Sequence, residues 1–112
     1  MRKAPVQPAR KIVLLLTTCG SAQQAAQLAQ RLVEKRLAAC VNVLPGIRSI
    51  YRWKGKVERG REALLFIKTR QEKLPSLWKT LRRLHPYEVP EYLALPISHA
   101  ERDYLKWLES SL

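Results

Sequence analysis

The chain lacks the features of a disulfide-stapled scaffold, a membrane protein or a nucleotide enzyme. It has two cysteines in 112 residues, Cys19 and Cys40, outside any close CxxC spacing. That count supports neither a disulfide framework nor a cysteine zinc site. Four glycines leave little scope for a phosphate-cradling loop, and no G-x-S-x-G or His-Glu metal-helix pattern occurs. No apolar run approaches the roughly 20 residues a membrane span needs, so no membrane partner is expected. Acidic residues are scarce, nine against 21 Lys+Arg, for a formal charge of +12.

A surplus of that size suits an anionic partner, nucleic acid above all. The bases, however, are spread over the N-terminus, Arg48–Arg61, Lys68–Arg83 and the C-terminal segment, with no dense block or nucleic-acid motif. Charge alone gives only non-specific attraction, so nucleic acid is not the expected partner. The hydrophobic fraction of 46% is enough for one domain with its own core. The opening MRKAPVQPARK is basic, and the apolar run after it is too short for a signal peptide and lacks a small-residue cleavage site. Residues 1–10 read as a flexible basic tail, residues 11–112 as the domain, and the location as cytoplasmic.

IVLLLTT (12–18) is short, branched and apolar throughout, the pattern of a buried strand. Ser21 and Gln24 form a capping box, and Ala25, Leu28, Ala29, Leu32 and Val33 recur at helical spacing to about Arg36. Residues 37–56 read as a strand bent at Pro45-Gly46, and Lys54-Gly55-Lys56 as a hairpin turn. VERGREALLFIKT (57–69) returns as the partner strand, with a bulge expected at Gly60. A helix follows over 72–84, with Pro75 in its first turn. Pro86 and Pro90 enforce an extended link, and YLALPIS (92–98) is an edge strand around Pro96. Ser98 and Glu101 suggest a capping box opening a last helix. The order β-α-β-β-α-β, with one helix added, is an α+β, ferredoxin-like sandwich. Its first and third strands are apolar on both faces. The face opposite the two helices therefore needs a covering helix or an oligomer. A ring of like subunits would meet that need.

LAACVNVLPGIRSIYRWKGKVE, EALLFIKT, HPYEVPE and DYLKWL stand in the order found in the CutA family, the divalent-cation-tolerance proteins. The chain resembles that family over about nine tenths of its length, from Ile12 to the end. The resemblance implies a ferredoxin-like subunit, similar in shape to the PII signalling proteins, in a homotrimer whose sheets pack around the three-fold axis. It also implies a link to copper and other divalent cations, with no organic cofactor. The copper ligands proposed in some members are a cysteine at the end of the first strand and paired histidines before Pro-Tyr. Here Thr17 stands at that cysteine position, with Cys19 two residues on, and Leu84 stands where the first histidine would be. Only His85 carries over, so Cys19 and His85 remain as candidate ligands for Cu(II) or another divalent cation.

His85 has a second reading, as a cap on the carbonyls ending its helix. Cys40 reads as a small buried hydrophobe, and its place in the matched CVN motif implies an intersubunit cleft. Glu62 and Lys68 are six residues apart on one strand and share a face, which suits ion pairing within a trimer. Alternatively Lys68, Tyr51, Trp53 and Tyr87 would line a pocket for an anionic small ligand, as at the clefts of PII-like trimers. Trp53, Trp78 and Trp107 are expected to pack on apolar surface. Glu88 and Glu91 fall on opposite faces of an extended segment, so they do not converge as an acid–base pair. Glu91 instead reads as a buried or interface carboxylate. No enzyme is expected.

Overall fold

The computed structural model describes residues 5–112. Its strands are β1 (Val6–Pro8), β2 (Ile12–Cys19), β3 (Cys40–Trp53), β4 (Lys56–Arg70), β5 (Leu93–Pro96) and β6 (His99–Glu101). Its helices are α1 (Ala22–Glu34), α2 (Leu74–Leu84) and α3 (Arg102–Ser110), with a 3-10 turn at Gln71–Lys73 before α2. The main sheet runs β3-β4-β2-β5 with every pair antiparallel, and β1 pairs with β6 in a small second sheet. This is the ferredoxin-like α+β sandwich that the segment order implies.

Alternation along β2 and β4 sorts the core. Leu15, Thr17 and Cys19 share a face with Ala63, Leu65 and Ile67, and all six are buried. Ala25, Leu28 and Leu32 of α1 and Leu77 and Leu81 of α2 close over Leu15, Cys19 and that β4 face. The Ser21 hydroxyl caps α1, accepting from the Gln24 amide at 3.1 Å. At the other end Arg36 takes φ 56°, and the amides of Leu37 and Arg36 donate to Leu32 and Val33. That is a Schellman ending, with Leu37 folded back on Leu32. A left-handed arginine costs about 1 kcal/mol, and the two hydrogen bonds offset it.

The β3–β4 ribbon extends well past the end of β2, and the chain measures 58 × 25 × 22 Å. Its tip is a two-residue turn with Lys54 and Gly55 at φ 50° and 80°, the primed geometry that matches strand twist. The register shift falls between Leu44 and Ile47, where Gly46 has φ 71°, as the Pro-Gly pair predicts. Gly60 pairs with Ser49 in unbroken register, so the bulge expected there is absent. One bulge already sets the bend of the ribbon.

The far face of the sheet carries Leu14, Leu16, Leu64, Phe66, Leu93 and Leu95, with Leu44 beside them. Helix α3 covers only one end of it, burying Leu105 and Leu108 with Ala9, Ile12 and Ala39. The rest is open in the single chain, with Leu44, Leu93 and Leu95 exposed.

The N-terminal expectation changes. Residues 1–4 lie outside the described residues, but Val6–Pro8 is not a free tail: it pairs with His99–Glu101. The Pro5 carbonyl also accepts from the Arg102 amide at 2.7 Å. That pairing draws residues 99–101 into a strand and shifts the start of α3. Glu101, not Ser98, caps the helix, its carboxylate accepting from the Tyr104 amide at 2.8 Å.

Candidate functional site

His85 ends α2, and its backbone N–H closes the helix onto the Leu81 carbonyl at 2.8 Å. Its ring does not turn back on the helix carbonyls. Nε2 lies 2.6 Å from the Thr18 carbonyl of β2, and Nδ1 accepts from the Tyr87 amide at 3.1 Å. This pattern assigns the ring proton to Nε2. The imidazole is 6% exposed and serves as a buried clamp between α2 and β2. The helix-cap reading is thereby corrected: the ring reaches a strand carbonyl far off in sequence.

The fold does bring Cys19 and His85 together, with Sγ 3.9 Å from Nε2. Thiolate and imidazole suit soft and borderline cations. Yet the Cys19 thiol is pushed up to about 11, by burial first and by the charge of Glu62 second. The Nε2 of His85 is committed as a donor, and a metal needs its lone pair. Among the described residues no group of three or more His, Cys, Asp or Glu side chains is placed to hold a metal ion. Thr17 is fully buried with its hydroxyl unpartnered. The donors as they stand do not fit a resident metal centre.

Beyond the end of β2, the ribbon and the Tyr87–Glu91 segment enclose a cavity of about 620 Å³. Thr18 of β2, Tyr51 and Trp53 of β3, Glu62 of β4, and Tyr87, Glu88 and Glu91 line it. The Tyr87 hydroxyl donates to Glu62 Oε2 at 2.6 Å, and its ring meets His85 edge-on at 4.7 Å between centroids. Burial and the Glu62 bond hold the Tyr87 phenol well above the usual tyrosine range. Glu91 is raised by burial first and by the negative charge of Glu62 second. The clamp and the cavity are therefore continuous: Tyr87 joins the His85 ring to Glu62.

Lys68 and Cys40 stand elsewhere. Six residues of strand separate Lys68 from Glu62, about 20 Å. Lys68 Nζ donates to the Tyr104 hydroxyl at 3.2 Å and lies 5.6 Å from the centroid of that ring. Cys40 sits opposite Lys68 across the β3–β4 pair, half-buried, its Sγ 3.7 Å from Asn42 Oδ1. Within one chain, therefore, Lys68 lies outside the cavity lined by Glu62, Glu88 and Glu91. Trp78 packs as expected, edge-on to Tyr92 at 4.9 Å. Trp53 and Trp107 stand exposed on the single chain. Reading by segments missed Thr18, whose only signal was a polar residue closing an apolar run, and the lining role of Glu88.

The CutA1 divalent ion tolerance protein family model matches residues 13–111. A divalent-cation tolerance protein CutA of Thermus thermophilus is 48% identical over 98 residues, spanning 88% of this chain and 95% of that one. The Mus musculus protein CutA is 48% identical over 91 residues, 81% of this chain but 51% of its own length. The chain thus spans about half of that relative. A CutA from Synechococcus elongatus, solved in complex with a Bis-Tris molecule, superposes with a TM-score of 0.88 at 41% identity, covering 96% of this chain and 99% of that one. With the family model matched over nearly the whole chain and relatives this similar in sequence and fold, the chain belongs to the CutA1 divalent ion tolerance family.

Proposed function

We propose that the protein acts in the response to divalent metal ions as a homotrimer, without catalysis, in the cytoplasm. The observation that carries this reading is the open apolar face of the sheet. Leu14, Leu16, Leu64, Phe66, Leu93 and Leu95 form a contiguous surface that an isolated subunit would leave to water. Three copies turning that face inward would bury it, and a closed ring leaves no face unpaired. Sedimentation equilibrium tests the assembly; a stable monomer at micromolar concentration removes it.

Copper contact is part of the proposal only through Cys19 and His85. Binding there would cost the thiol proton and the His85–Thr18 hydrogen bond, so weak binding is the expectation. Calorimetric titration with Cu(II) checks it against Cys19→Ser and His85→Ala. Equal heats in all three proteins would remove both residues as ligands.

A second reading is favoured by the cavity: a trimer that senses a small molecule through clefts beside the ribbon. A mixed aromatic and polar lining at a few hundred Å³ is the usual form of a ligand site. The Bis-Tris complex of the Synechococcus elongatus CutA supports this reading, since that protein accommodates a small organic molecule.

A further inference from the structure

We infer that the β3–β4 ribbon is a docking element for duplex DNA, entering the major groove with one arginine-lined face. The inference goes beyond the metal and cleft readings and depends on neither.

Bases that look scattered along the sequence are gathered by the strand register. Arg48 stands opposite Arg61, Ile50 opposite Arg59, and Arg52 opposite Val57. These are alternate positions, so the four arginines share one face of the ribbon. All four are exposed. Glu58 and Glu62, the two acids of the ribbon, occupy intervening positions and point to the other face. Like charges directly opposed weaken a strand pair, so Arg48 against Arg61 works against the ribbon itself. A partner with closely spaced negative charge turns that repulsion into attraction.

The face is turned away from the surfaces already described. Pairing of β2 with β4 ends at Cys19 and Ala63, and the ribbon projects past that point. Along β4, Arg59 and Arg61 continue the row of Ala63, Leu65 and Ile67, on the side that α1 and α2 cover. Leu64 and Phe66, on the apolar side that a trimer would bury, belong to the other row. Tyr51, Trp53 and Glu62 of the cavity belong to that other row too; of the arginine-face residues only Ile50 also borders the cavity.

Shape selects the partner. From Ile47–Glu62 to Trp53–Lys56 the free ladder has seven pairs, a length of roughly 20 Å at about 3.4 Å per residue. A B-form major groove is about 12 Å wide and admits a two-stranded β-ribbon. Guanidinium forks pair with phosphates and with guanine edges. Ile50 and Val57, 67% and 59% exposed, sit among the arginines and can meet thymine methyls. The major groove of duplex RNA is too deep and narrow for such an element. A membrane surface would be met end-on, but the end of the ribbon is Lys54-Gly55, with Trp53 on the other face.

Fluorescence anisotropy of a labelled mixed-sequence DNA duplex tests this, with the full chain in its native assembly over about 50–200 mM salt. Micromolar binding is expected at about 50 mM salt. Arg48→Gln/Arg61→Gln should weaken it about tenfold and lower the slope of log K against log salt by about two, one for each lost contact. Arg10→Gln/Lys106→Gln removes the same charge from exposed positions at the opposite end of the sheet, and should cost less than about twofold. An RNA duplex of the same sequence should bind at least about tenfold more weakly than DNA. Thermal melts confirm that both variants fold. No DNA binding at low salt overturns the inference. Equal losses in the two double variants also overturn it, because total charge would then be the cause. Equal affinity for DNA and RNA removes the groove. Phosphatidylserine vesicles that bind through Arg48 and Arg61, with DNA silent, would make the face a membrane contact instead. An assembly lost on sedimentation of Arg48→Gln/Arg61→Gln would place these arginines at a subunit boundary and overturn the inference as well.

Discussion

Replacing His85 with lysine separates two roles for this residue. As a helix cap, position 85 would welcome a cation, because the C-terminal dipole favours positive charge by about 0.3–1 kcal/mol. As a clamp it would not. The imidazole is 6% exposed, donates to the Thr18 carbonyl at 2.6 Å and accepts from the Tyr87 amide at 3.1 Å. Lysine has no acceptor for the Tyr87 amide and would bring a flexible charge into a buried slot. The orphaned amide costs about 1–3 kcal/mol, and burial of an unmatched ammonium adds to that. His85→Lys is therefore expected to lose about 2–4 kcal/mol of a domain stability of about 5–15 kcal/mol. His85→Ala should lose a similar amount by leaving both the Thr18 carbonyl and the Tyr87 amide unpaired. Guanidinium unfolding at fixed protein concentration measures both losses, since an assembling protein gains apparent stability with concentration. Amide exchange supplies a local readout: Tyr87 should lose protection in both variants while the β3–β4 ladder keeps its own. A lysine variant within about 0.5 kcal/mol of the parent would refute the clamp and restore the cap.

Three further outcomes follow from single side chains. Phe66→Glu should leave a folded monomer, because a charge on the open face meets water in one subunit but would be buried unpaired in a trimer, at a cost of several kcal/mol; a trimer surviving in sedimentation velocity refutes the packing. Thr17→Val should stabilise the protein by about 1 kcal/mol, since the hydroxyl it removes is buried without a partner; a loss of that size by denaturant titration would reveal a partner the hydroxyl does have. Cys19, with its thiol pushed up to about 11 and 2% exposed, should resist iodoacetamide in the native protein and react only on unfolding; at mildly alkaline pH about one thiol in a thousand would be ionised, and rapid native labelling, read by mass spectrometry, contradicts its placement.

What the sequence made legible is what close neighbours decide. The Lys54-Gly55 turn, the Pro45-Gly46 bulge and the Ser21 cap each depend on groups within a few residues, and each forms as its residues require. The misplaced elements depend on distant partners. Nothing local in Val6–Pro8 announces pairing with His99–Glu101, more than 90 residues on. Once that pairing exists, Ser98 loses its claim to the last helix and Glu101 takes it. Glu62 and Lys68 read as sharing a face and pairing within a trimer, and inside one chain they stay apart. Alternation places them on one face, but alternation says nothing of distance, and about 20 Å of strand separates them.

The same limit explains why HPYEVPE reads ambiguously by itself. Its imidazole is defined by Thr18, its tyrosine by Glu62, and its carboxylates by a ribbon that folds beside them from the middle of the chain. The two prolines matter because they hold this segment against both partners at once. His85 is held on the Thr18 carbonyl at one end, and at the other Pro90 is buried and Tyr92 donates to the Leu74 carbonyl at 2.8 Å, so the segment is anchored at each end before it enters β5. A strap of this kind sets Tyr87 on Glu62 and brings Glu91 near enough to Glu62 for that charge to raise its carboxyl.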